Sequence, residues 1–372
     1  MLACNPLPPE RLLIHAGRLF DGSGGPVLKN MQIEVYRGLI VNIKQDDHQI
    51  FSNSSNTKII DAREATVMPG IINTQLDLTY NYQINEPGDF YTAIQNLNLF
   101  INSGITTVAD RGTSLAMALG LRRYVGTGRG RGPRLLVSGS TIHTYEISNA
   151  NLNDRSTVTC LATTKNENKK NIDTYQMQIR QLAVAGVDFI NFTNVPKHSD
   201  ATKSPQIIHD CWCNIIKEAH IQKLLAFVEV SNEQERTIAN KCKADVIISK
   251  PNTNYLAYSD TATKKFHKQP DLVSILLHDK NIDTTSPNVA LTTITRDSAK
   301  LLGLGDALGR IAIGYRADII VVKGSPDSDL TKLKNIQMVI IDGIVQPTSE
   351  SISTWWATIS AAFYVIWAWI GI

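Results

Sequence analysis

Between residues 67 and 249 the chain alternates short apolar runs with amphipathic stretches, and this alternation constrains the fold more than any other feature. "FYTAIQNLNLFINS" has helical spacing and precedes the short strand pattern "GITTVADRG". "SLAMALGLRRYVGT" leads to "PRLLVSGSTI", and "IDTYQMQIRQLAVAG" leads to "VDFINFTN". "SPQIIHDCWCNIIKEAHIQK" leads to "LLAFVEVS", and "NEQERTIANKCK" leads to "ADVIIS". Counting "VMPGIINTQLDL" (67–78), six strands are predicted. Strands this apolar, separated by helices, are expected to be parallel and buried on both faces. Eight such units would close a (β/α)8 barrel.

The two ends of the chain have a different pattern. "LLIHAGRLFDG", "MQIEVYRGLIVNIKQ" and "TKIIDAREATVMPG" read as strands and turns. So do "GRIAIGYRADIIVVKGSPDSDL" and "IQMVIIDGIVQP" near the other end. "SPNVALTTITRDSAKLLGLGDALG" is predicted to be a helix, with a Ser-Pro start and Gly303 near its end. The expectation is an α/β protein with a TIM-barrel-like domain over 67–305. It would be inserted in a small β-sandwich made of residues 12–66 plus 306–347. Only 35 residues separate Lys250 from Ser286. Two more β/α units need about 50 residues or more, which predicts an incomplete barrel.

Composition narrows the function classes. Of 372 residues, 43% are hydrophobic and 19% charged, which fits a folded chain. A net charge of +3 gives no electrostatic case for nucleic acid. The cysteines are Cys4, Cys160, Cys211, Cys213 and Cys242. Their odd number and irregular spacing give no sign of a disulfide scaffold and favour a reducing, cytoplasmic compartment. The uncharged segment Trp355–Ile372, within a hydrophobic tail over 352–372, holds four of the five tryptophans. As a helix it would rise about 27 Å, near the hydrocarbon thickness of a bilayer. Membrane association and packing against protein are the two alternatives for it.

Several motifs then match one family in order. "LLIHAGRLFDG" resembles an opening "LLI-x-x-G-x-x-FDG", and "VMPGIINT" resembles "V-x-PG-L-I-D-x-H-x-H". "GITTVADRGT", "RGPRLLVSG" and "AGVDFINF" follow in sequence. "TRDSAKLLGLGDALGRIAIGYRADIIVVKGSP" matches the terminal signature. Over about residues 12–347 the chain resembles the amidohydrolase superfamily, most like its imidazolonepropionase-like and prolidase-like hydrolases. The resemblance implies one or two divalent metals such as zinc at the C-terminal ends of the barrel strands, activating water for hydrolysis of C–N bonds. It also implies where the ligands should lie. The H-x-H pair of the first strand is replaced by Gln75 and Asp77, and the fourth-strand lysine by Asn191. The fifth strand carries Glu229 and Ser231, and the sixth-strand histidine position is Lys250.

Gln75, Asp77 and Glu229 offer only oxygen donors, so no transition-metal cofactor is expected. An ion pair of Lys250 with Asp77 or Glu229 is the plainer expectation. The alternatives are a new metal site on Asp77 and Glu229, or metal-free acid–base catalysis. His209, Cys211, Cys213 and His220 read as core or surface residues, because C-x-C on a helix sends its sulfurs to different faces. His143 reads as a hydrogen-bonded structural residue, and "GTGRGRGPR" (126–134) as a turn. Ser138 and Ser140 lack a nucleophile-elbow context. Three functions are thus expected in order: a catalytically degenerate member with a binding or vestigial role, a hydrolase with an altered site, and a membrane-tethered interaction protein. A small-molecule ligand and self-association are compatible with each.

Overall fold

The computed structural model describes residues 11–47, 56–81, 86–144, 165–193, 209–249 and 286–347. Lys250 and the Trp355–Ile372 segment lie outside them. Among the described residues no helix is long and apolar enough to cross a membrane.

Both ends of the chain build one seven-stranded sheet. β1 (Arg11–Leu19), β2 (Leu28–Tyr36), β3 (Leu39–Gln45) and β4 (Thr57–Pro69) come first. β14 (Ile319–Lys323), β15 (Ile336–Ile341) and β16 (Ile344–Val345) come last. The order is β16-β15-β14-β4-β1-β2-β3, parallel between β1 and β4 and antiparallel elsewhere. The faces of the expected sandwich come from this one sheet, which curls until its edges meet. Residues 314–317 bridge them: Ile40 N–H donates to Tyr315 O at 2.8 Å and Ala317 N–H to Gly38 O at 2.8 Å. Alternate residues, such as Leu12, Ile14 and Ala16, fill the space enclosed. Where β1 passes β4 the register shifts between Ala16 and Arg18. A Cβ on Gly17 would collide there with the carbonyl oxygen of Arg63.

β4 runs on into the second domain. After Gly70, β5 (Ile71–Leu76) opens a series of parallel strands. β8 (Ile105–Asp110) and β9 (Arg134–Val137) pair with it in the order β5-β8-β9. β10 (Ile142–His143), β11 (Phe189–Thr193), β12 (Leu225–Val230) and β13 (Val246–Ser249) form the order β10-β11-β12-β13. β9 and β10 are two halves of the third barrel strand, broken at Gly139, whose φ is 73°. Asp188 rejoins the two sheets: its N–H donates to Val137 O at 2.9 Å and its Oδ2 accepts from Val137 N at 2.8 Å. The six strands expected from the sequence are therefore present in order. A short hairpin of β6 (Tyr80–Asn81) and β7 (Glu86–Pro87) follows the first of them. The seventh and eighth positions would fall in 251–285, outside the described residues.

Helices α1 (Phe90–Asn102), α2 (Leu115–Gly126), α3 (Lys165–Ala185), α4 (His209–Ile221) and α5 (Glu233–Lys241) connect the strands. Outward-facing Val108, Leu135 and Val137 pack with residues of α1 and α2. Ile190, Phe192, Ala226 and Val228 pack with residues of α3 and α4. Inward-facing Ile72, Ala109, Phe189, Phe227 and Ile248 make a separate apolar layer, with the Phe189 and Phe227 rings stacked at 4.2 Å. The helix predicted from "SPNVALTTIT" is present but interrupted: α6 (Pro287–Thr292), a π-turn over Thr293–Asp297, then α7 (Ser298–Leu301). Ala299 and Leu302 join the inner apolar layer.

The cysteines correct one expectation. Cys213 on α4 and Cys242 at the end of α5 form a disulfide across 29 residues of sequence. Packing of neighbouring helices brings together residues whose spacing carried no signal.

Gly17→Ala should destabilise the protein by about 1–3 kcal/mol, the usual cost of overpacking. Gly126→Ala, where a Cβ meets nothing within 4 Å, serves as the control. Chemical denaturation of both variants checks this.

Candidate functional site at the strand ends

The apolar layer inside the barrel ends one residue pair below the C-terminal strand ends. Alternation along β11 puts Asn191 and Thr193 on the same inner face as Phe189. Alternation along β12 puts Glu229 and Ser231 on the same face as Phe227. On β8 the face that carries Ala109 continues to Arg111, just past the strand end. The inner layer therefore changes from apolar to charged at Arg111, Asn191 and Glu229.

These three form a closed network. Arg111 Nη1 donates to Glu229 Oε1 at 2.8 Å, and Asn191 Nδ2 donates to the same oxygen at 3.1 Å. Asn191 Nδ2 also lies 3.2 Å from Arg111 O and 2.9 Å from Thr141 Oγ1. Thr141 Oγ1 donates to Arg111 O at 2.8 Å. The side chains of Arg111 and Glu229 are each only 9% exposed, so the pair is largely desolvated. Such a pair contributes little net stability, but removing one partner is costly.

A second centre lies on the neighbouring strand ends. Asp110 is fully buried. Its Oδ1 accepts from Leu78 N at 3.1 Å and from Thr113 Oγ1 at 2.9 Å. Its Oδ2 has no hydrogen-bond partner among the described residues. Burial, and then the negative charge of Asp77, push its pKa up to about 7 against those hydrogen bonds. Asp77 in turn accepts from Thr79 N at 2.8 Å and Thr79 Oγ1 at 2.7 Å. Its carboxylate lies over Gly112, where a Cβ would stand 2.7 Å from Oδ2.

The expected site residues thus divide into two groups. Asn191 and Glu229 come together, whereas Asp77 is brought to Asp110. Gln75 lies on β5, and Lys250 falls outside the described residues. Ser231 ends β12 and its N–H donates to Glu235 Oε2 at 2.6 Å, where Asn232 caps α5. Among the described residues the cation paired with Glu229 is Arg111, and the expected pairing with Lys250 lies outside them. Asp110 and Arg111 were both missed, although the register of "TTVADRG" carries them. Counting inward positions from Thr107 through Ala109 reaches Arg111.

Motifs set aside as structural have structural contacts. Ser138 Oγ donates to Gly139 O at 2.8 Å. His143, on β10, is level with Thr193. In the Gly-Arg turn, Arg131 donates to Asn102 Oδ1 at 2.7 Å and Arg134 to Asp342 Oδ1 at 2.8 Å. His220 Nε2 lies 2.8 Å from Asp245 Oδ2.

A family-type divalent centre does not fit these donors. Glu229 is committed to a guanidinium, whose charge would oppose a second cation, and Asn191 offers an amide. Among the described residues, the one group of three His, Cys, Asp or Glu side chains in mutual reach is His209, Cys213 and Cys242 on α4 and α5, none of them a family-equivalent position.

Arg111→Met should destabilise the protein by about 3–5 kcal/mol, because it removes the guanidinium from a largely buried carboxylate. Adding Glu229→Gln should recover a large part of that loss in a double-mutant cycle. Asp110 predicts a pH effect of definite sign. Between about pH 4 and 7 the folded chain holds a proton that the unfolded chain has released. Stability therefore falls as pH rises through that window, by up to ~4 kcal/mol from this group. Asp110→Asn should remove the fall, gaining on the parent protein at pH 8 and not at pH 4, as read by denaturation at the two values.

The comparisons with known proteins agree with this geometry on the fold. A model of the amidohydrolase family matches residues 272–345. No curated protein matches the chain in sequence. Among solved structures, a Xaa-Pro dipeptidase with methionine bound in its active site has 21% identity and a TM-score of 0.68, over 90% of this chain and 99% of that one. Molinate hydrolase has 15% identity and a TM-score of 0.70, over 94% and 97%. An A. niger ochratoxinase has 14% identity and a TM-score of 0.68, over 93% and 97%. The C-terminal segment thus matches the amidohydrolase family model, and almost the whole chain shares its fold with hydrolases of known structure.

Proposed function

We propose that this chain has given up metal-dependent hydrolysis and that its strand ends form a metal-free pocket for a small polar ligand. The Arg111–Glu229–Asn191 network carries this reading. A guanidinium brings to the family-equivalent ligand positions the positive charge that metal ions bring in active relatives. A fixed guanidinium can hold a carboxylate or carbonyl, but it cannot lower the pKa of a bound water as a transition metal does.

One observation favours a second reading, in which hydrolysis of C–N bonds persists without metal. Asp110 has a pKa of about 7, a value suited to proton transfer near neutrality. Substrates would then be dipeptides or cyclic amides, in line with the Xaa-Pro dipeptidase among the structural relatives.

Metal analysis and a dipeptide hydrolysis assay separate the two. Both use purified protein with its Cys213–Cys242 disulfide intact. The first reading expects no stoichiometric zinc, manganese or iron and no Xaa-Pro hydrolysis. Stoichiometric metal whose removal by a chelator abolishes hydrolysis would overturn it. Hydrolysis that survives the chelator, and drops roughly 10²–10⁴-fold in Asp110→Asn, would establish the second reading instead.

A further inference from the structure

The disulfide between α4 and α5 does not stand alone. His209 and Cys213 are four residues apart on α4, so their side chains share a face. His209 Nε2 lies 3.8 Å from Cys213 Sγ. Cys242, the C-cap of α5, is carried to the same place by the packing of the two helices around Ile215, Ala219 and Ala239. One ligand atom from each of His209, Cys213 and Cys242 lies within 4.8 Å of the others. The other imidazole nitrogen, Nδ1, is 3.3 Å from Asp210 Oδ1. A carboxylate that accepts a hydrogen bond from Nδ1–H leaves the Nε2 lone pair free to face the sulfurs, the usual arrangement behind a metal-binding histidine. Cys211, at the other end of the C-x-C, is buried in the core and is also disulfide-bonded, so the surface cluster draws only Cys213 from that motif.

We propose that, once the Cys213–Cys242 disulfide is reduced, the two thiolates and His209 bind one soft divalent transition-metal ion such as Zn²⁺. Two sulfurs and one imidazole are a preferred donor set for zinc, with Zn–S about 2.3 Å and Zn–N about 2.0–2.1 Å. Tetrahedral bonds of those lengths separate neighbouring donors by roughly 3.6 Å, close to the Nε2–Sγ distance found here. Half of the His209 side chain is exposed, so solvent has access to the fourth position.

The chemistry balances with a dithiol as reductant. The dithiol gives two electrons and two protons to the disulfide and becomes a disulfide itself, leaving two cysteine thiols. Metal binding then releases those two protons as both sulfurs become thiolates. In the oxidised protein the sulfurs are bonded to each other and the donor set does not exist. The site is thus gated by redox state, and it shares no residue with the Arg111–Glu229–Asn191 network.

Cobalt titration tests the proposal. The full chain is reduced with a phosphine, which opens disulfides without supplying thiol ligands, and is then titrated with Co²⁺ under anaerobic conditions. Reduced protein should show sulfur-to-cobalt charge transfer that saturates at one equivalent and is displaced by Zn²⁺, while oxidised protein should show none. Cys242→Ser should abolish the band. His209→Ala changes an exposed side chain and leaves both thiols in place, and it should weaken binding roughly tenfold or more. Absence of the band in reduced protein would overturn the proposal, as would loss of the fold on reduction by circular dichroism. A band unchanged in both variants would also overturn it, since the other cysteines would then be the ligands.

Discussion

The antiparallel pairing of β4 with β14 is the interaction on which the rest of the architecture depends. It sets Ile319 opposite Pro69, Val321 opposite Val67 and Lys323 opposite Ala65. Without it the last three strands have no sheet to join, and one edge of β4 is left as an open template. The pairing closes a loop of about 250 residues, a long-range contact whose closure costs chain entropy. Arg134 reinforces the closure from the barrel side, reaching both Asp318 and Asp342 from the start of β9.

Much of this was legible in the sequence because it is periodic. The helix–strand alternation predicted the parallel strands, and the Ser-Pro and glycine signals bounded the last helix. Other features have no local signature. The π-turn at Thr293–Asp297 interrupts a stretch that reads as one helix. The Cys213–Cys242 bridge depends on how α4 leans on α5, which no spacing rule encodes. Arg111 was overlooked for a different reason. The family's ligand positions point to Lys250, whereas Arg111, the cation paired with Glu229 among the described residues, comes from a strand that supplies no ligand in the resemblance.

A carboxylate buried at the strand ends must find a partner for its charge or hold its proton. Glu229 does the first, through Arg111 and Asn191. Asp110 does the second, because burial and the nearby charge of Asp77 raise its pKa to about 7. The two carboxylates are thus accommodated by opposite means on strands of one barrel, and the second is the more sensitive to pH.

The junction between the two domains has a mechanical consequence. β4 ends at Pro69 and β5 begins at Ile71, so Gly70 is the whole connection on that side. Gly70 N–H donates to Asp318 O at 2.9 Å, and its Cα lies so near Thr106 that a Cβ would collide with that side chain. A joint clamped from both sides leaves no slack for rotation. The curled sheet is thereby tied through a single clamped residue to β5 and to its partner β8, the strand that ends at Asp110 and leads to Arg111.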